Sequence, residues 1–190
     1  MSKTKPARRI AIHEAGHALA YWWNGQGIYT ATARTVVEMR AGPMLSRKGY
    51  PMDVAGVVEA ADFINPSVWT QEEAASHSMF TEMVERDLLH CYAGPMAEAT
   101  YRRAKFGNVL MASGEADLAQ VDALLDLLPL ETRDAIDDRA LFRSGRLVRR
   151  YWAAITVIGD LLQEHGTVDG EDLTATISSF TGETPGFREN

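Results

Sequence analysis

Apolar positions recur every three or four residues over most of this chain, which predicts a mostly helical protein. Lys5 to Trp23 reads as the first helix, with Pro6 in its first turn and Asn24, Gly25 and Gly27 at its end. Ile10, His13, His17 and Ala20 share one side of it. Tyr29 to Met39 has β character, centred on Thr35, Val36 and Val37. Ala41 to Asp53 looks like a long loop, and Val54 to Ala60 is a second short strand. The helical period then returns. One helix, capped by Ser67 or Thr70, is expected to run to Lys105 with a kink or break near Cys91 caused by Gly94-Pro95. Further helices are expected over Glu115 to Leu128, Glu131 to His165 and Thr167 to Phe180. The fold class read from this pattern is mainly α with a small β element, one domain over residues 1–180 and a loose tail over 181–190.

Composition narrows the function. The formal net charge of −7 repels phosphate backbones, so nucleic-acid binding is not expected. Cys91 is the one cysteine, so no disulfide can form within the chain, which points to a reducing compartment. No apolar run is long enough to span a bilayer, and the basic Met1 to Arg9 precedes no apolar signal core. A cytoplasmic protein is the expectation.

The candidate chemistry lies in His13-Glu14-Ala15-Gly16-His17. Two histidines four apart on a helix present imidazoles one turn apart, a spacing that lets both bind one metal ion. Glu14 lies beside them, where it can take a proton from a water that the metal acidifies. Small Ala15 and Gly16 leave room for another element to approach. A catalytic zinc site needs a third protein ligand. His77, His90, His165, Glu98, Glu115 and Asp117 are the candidates.

In its motifs the chain resembles the peptidase domain of FtsH-type ATP-dependent zinc metallopeptidases. That domain opens with a helix reading HEAGHA, as do His13 to Ala18. Gly94-Pro95-Met96-Ala97-Glu98 echoes its G-x-x-A-E helix, and Phe106-Gly107 its Phe-Gly step. Ser113-Gly114-Glu115-Ala116-Asp117-Leu118 keeps the outline of its S/T-G-A-x-x-D-L segment, one residue shorter. Asp169 to Leu173 resembles its closing D-G-x-E-L helix. The resemblance implies a zincin-like helical domain with Zn2+ held by His13, His17 and Asp117, and Glu14 as base. Glu98 is the fallback ligand, or a carboxylate that orients a ligating histidine, or a partner for Arg102.

The ATPase module and transmembrane helices of that family are not in this chain, and Pro95 replaces a basic residue. The expected activity is therefore peptide-bond hydrolysis in unfolded or exposed segments, with a separate unfoldase or adaptor as a possible partner. The alternatives are a peptidase that cleaves one specific regulator, and a non-catalytic metal-binding domain that binds a protein. Trp22 and Trp23 read as core residues before they read as a subsite. The stripe Arg139, Arg143, Arg146, Arg150 reads as a solvated face paired with Asp134, Asp137 and Asp138.

Overall fold

The computed structural model describes residues 5–186. The last four residues of the expected tail and the first four of the basic N-terminus lie outside them. The protein is mainly helical with a small antiparallel sheet. Its centre is α1 (Arg8–Asn24), in which every residue from Ile10 to Asn24 is buried. A helix covered on all sides has no polar face to spare. Here α4 (Phe80–Arg102), α8 (Trp152–His165) and β1 (Ile28–Ala33) enclose it. Gly25 ends α1 at φ 74°, returning its N–H to the carbonyls of Trp22 and Tyr21.

The sheet has the order β4-β1-β5, with β4 (Gly56–Ala60) and β5 (Thr167–Asp169) both antiparallel to β1. Ala31 faces Val58 on one side and Val168 on the other. This register leaves β4 as an edge strand. A two-stranded hairpin, β2 (Met44–Leu45) with β3 (Pro51–Met52), occupies part of the expected loop.

Two apolar clusters meet on α4. Ile12, Leu19 and Trp22 of α1 cluster with Ile155, Ile158, Leu162 and Leu173, together with Leu89, Ala93 and Ala97 of α4. The other side of α4 supplies Leu88, Cys91 and Tyr92 to a cluster with Leu124, Leu128 and Ile136. These last come from α6 (Glu115–Leu125), the turn after it, and α7 (Leu130–Arg150).

Several expected elements differ in the structure. The expected strand centre at Thr35 to Val37 is instead the start of α2 (Val36–Arg40). The Thr35 hydroxyl accepts from the Glu38 N–H, and the Glu38 carboxylate accepts from the Thr35 N–H. That capping box outweighs the β preference of two valines, which are left exposed. The helix expected from about Thr70 is two helices. Thr70 caps α3 (Gln71–Ser76), and α4 starts afresh at Phe80. No break occurs near Cys91. The helix runs through Pro95, which has no N–H to give the Cys91 carbonyl, and ends where Arg103 turns left-handed at φ 53°. Phe106–Leu110 forms its own short helix, α5. The helix expected over Glu131 to His165 is α7 and α8, separated at Tyr151, whose ψ of 22° departs from the helical value. Tyr151 is buried edge-on against Trp22, and its hydroxyl donates to Glu183. The last segment begins as β5 before α9 (Gly170–Thr181), which Asp169 caps.

Candidate metal centre

His13 and His17 lie one turn apart on α1, with ring centroids 4.8 Å apart. Asp117 reaches them from the first turn of α6, where a carboxylate is favoured by the helix dipole. His13 Nε2 is 3.2 Å from Asp117 Oδ2, and His17 Nε2 is 3.2 Å from Asp117 Oδ1. Donors around a tetrahedral cation with bonds of about 2.1 Å stand about 3.4 Å apart. Each imidazole nitrogen has one Asp117 carboxylate oxygen near this spacing, so the two histidines and Asp117 form a group that could hold a metal ion.

The other imidazole nitrogens are also committed. His17 Nδ1 donates to the His90 carbonyl at 2.8 Å, which requires the proton on Nδ1 and leaves the Nε2 lone pair free in the neutral ring. His13 Nδ1 donates to Glu98 Oε2 at 3.1 Å. Such outer partners orient ligating histidines. Glu98 in turn accepts from Ser113 Oγ at 2.7 Å and from Arg102 at 2.9 Å. Although burial opposes it, the hydrogen bonds from His13, Ser113 and Arg102 hold Glu98 down at about 2.

Glycines clear the space. A methyl on Gly94 would lie within 2.6 Å of three atoms of the His17 ring. One on Gly56 would lie 2.5 Å from Glu14 Oε1, and one on Gly16 would lie 2.5 Å from the Ala93 carbonyl. The Gly16 contact lets α1 and α4 approach closely enough to build the site. On the other side, Pro95 Cγ backs the start of α6, 2.9 Å from where a Gly114 Cβ would stand.

The electrostatics demand positive charge. Burial lowers the His13 pKa, but hydrogen bonds to Asp117 and Glu98 and the nearby Glu14 overcome it and push it up to about 10. His17 is raised in the same contest between burial and Asp117. Asp117 is held well below the usual carboxylate range, against burial, by His17 and His13. In the absence of a cation these carboxylates favour the protonated form of the imidazoles. A divalent ion satisfies the same demand.

Glu14 shares the cleft without joining this ligand group. Burial pushes its carboxyl up, with His13 and His17 pulling the other way. The cleft has a volume of about 420 Å³. One wall is Val54 to Val58, which includes the start of β4, and the other holds Ser113, Ala116 and Gln120.

The remaining candidates do not join His13, His17 and Asp117. Glu115 lines the cleft, exposed, outside the ligand group. His77 is exposed against Trp69, and His165 lines a separate cavity of about 360 Å³ beside Arg34. Trp22 and Trp23 are buried in the core. Arg139 and Arg143 pair with Glu85, so the expected pairing with Asp134, Asp137 and Asp138 does not describe them. Asp137 accepts from Tyr92 instead. Sequence reasoning missed the His90 carbonyl and Gly56. A backbone carbonyl leaves no mark in sequence, and a glycine next to a strand has many other uses.

Comparison with protein-family models finds no match, and comparison with curated proteins finds none either. Among the described residues, no helix is long and apolar enough to cross a membrane.

Proposed function

We propose that this protein is a zinc-dependent endopeptidase that hydrolyses peptide bonds in unfolded or exposed segments. The observation that carries the reading is the meeting of both Nε2 atoms with Asp117, each at 3.2 Å, in the cleft that holds Glu14. The motif-by-motif resemblance to FtsH-type peptidase domains supports the same ligands and the same base.

His13, His17 and Asp117 would hold the zinc, which when bound would act as a Lewis acid toward a carbonyl and would make water acidic near neutral pH. The protein does the rest. Glu98 and the His90 carbonyl hold the imidazoles in the ligating tautomer. Glu14, its basicity raised by burial, accepts the proton of the attacking water and passes it to the leaving amine. The edge strand β4 borders the cleft, so an extended peptide can add to the sheet through backbone hydrogen bonds. Backbone pairing of that kind is available to extended segments and not to folded ones.

The test is metal content and casein hydrolysis of the wild type, Glu14→Gln and Asp117→Ala. Glu14→Gln keeps the metal and loses turnover, whereas Asp117→Ala loses both. Equal hydrolysis by wild type and Glu14→Gln refutes the enzymatic reading. Cutting of one folded partner with no action on casein favours a regulator-specific peptidase.

A further inference from the structure

A second group of metal-capable side chains meets behind His90. Asp62 lies just after β4, and Asp87 and His90 are three residues apart on α4. His90 Nε2 is 3.4 Å from Asp62 Oδ1 and 3.7 Å from Asp87 Oδ1, and the three donor atoms lie within 4.8 Å of one another. The His90 ring is 3% exposed and stacked on Tyr21 at 4.2 Å. Its Nε2 is fully buried, points into the carboxylates and makes no hydrogen bond among the described residues. Buried polar atoms without partners are uncommon and call for an explanation.

We propose that Asp62, Asp87 and His90 form a second binding site, for a divalent first-row cation. Two carboxylate oxygens and one imidazole suit zinc or manganese better than soft, thiolate-seeking ions. The His90 separations, 3.4 Å to Asp62 and 3.7 Å to Asp87, are close to the spacing of about 3.4 Å for two donors on one ion with bonds of about 2.1 Å. The ligands are already oriented. Asp87 Oδ1 accepts from Gln26 and the Phe63 N–H, and its Oδ2 accepts from the Ile64 N–H. Tyr21 donates to Asp62 Oδ1 at 2.7 Å. The Asp62 side chain is 40% exposed, which gives the ion a way in and leaves positions for water. The ligands are distinct from His13, His17 and Asp117, so the proposal does not rest on the peptidase reading. The two groups are joined through His90, whose carbonyl accepts the hydrogen bond from His17 Nδ1. The rival occupant is a proton on Nε2, giving a plain ion pair.

The test is zinc stoichiometry by calorimetry on the chelator-stripped full chain at pH 7. Wild type is expected to bind two equivalents, Asp62→Ala and His90→Gln one each, and His13→Ala/His17→Ala one. One equivalent in wild type that persists in Asp62→Ala and His90→Gln overturns the proposal. So do two equivalents that Asp62→Ala and His90→Gln leave unchanged. One equivalent in wild type that Asp62→Ala removes supports this site and counts against the first, so the two failures are distinguishable. If His13→Ala/His17→Ala does not fold, the Asp62→Ala arm decides alone.

Discussion

Gly94→Ala separates the fold from the metal site more cleanly than loss of a ligand does. A methyl at residue 94 would stand 2.5 Å from His17 Cε1 and 2.6 Å from Cδ2, where ordinary carbon contacts are about 3.5 Å or more. The ring must move by about 1 Å. Its 2.8 Å bond to the His90 carbonyl and its 3.2 Å approach to Asp117 cannot both survive that movement. Losing an outer partner of a ligating histidine costs about 10–100-fold in metal affinity, and displacing the ligand as well puts the expected loss at or above about 100-fold. Stability falls by up to about 2 kcal/mol. Overpacking costs about 1–3 kcal/mol, while replacing a mid-helix glycine by alanine returns about 1 kcal/mol. Competition against a chromophoric chelator reads the affinity, and thermal melting of the stripped protein reads the fold. Zinc affinity within about threefold of wild type in a folded Gly94→Ala protein would refute the geometry argued for His17.

Glu98→Gln is expected to weaken zinc binding by about 10–100-fold in the same competition assay, since it removes the carboxylate that orients His13. Glu98→Gln also changes acid stability. The stabilisation from a carboxylate lowered from 4.5 to about 2 is complete above its ordinary pKa and drains away as pH falls toward 2. Urea titrations of the stripped protein between pH 5 and 2 should show a shallower loss in Glu98→Gln than in wild type. Thr35→Ala breaks the capping box of α2 and should cost about 1 kcal/mol, a fall of about 2–4 °C in Tm, with zinc stoichiometry unchanged. Ile158→Ala empties a fully buried position beside α1 and should cost about 2–5 kcal/mol in chemical denaturation.

The helices were readable wherever a periodic apolar face coincided with a stop signal. Asn24-Gly25 closes α1, and Asp169 caps α9. Where a local hydrogen bond competes with propensity, pattern misleads. Thr35 to Val37 has strand composition, yet the Thr35–Glu38 box makes it helical. Gly94-Pro95 predicts a kink or a break, but α4 is buried on both sides there and continues through Pro95 to Arg102. Tyr151 interrupts a perfect helical period for a tertiary reason, its contacts with Trp22 and Glu183. The first half of the metal site was legible, because His13 and His17 are local neighbours on one helix. Asp117, 100 residues after His17 in the chain, could be chosen over Glu98 and Glu115 only through the family resemblance. The buried Arg34, which ties the Val54, Glu38 and Gly42 carbonyls together beside the cleft wall, had no sequence signal at all.

Diffraction data collected at the zinc absorption edge from crystals of the zinc-loaded protein test the central claim most directly. An anomalous peak should lie about 2.0–2.2 Å from the Nε2 atoms of His13 and His17 and from an Asp117 carboxylate oxygen. A zinc-saturated crystal with no peak there, or with that ion bound to one imidazole and not to Asp117, contradicts it.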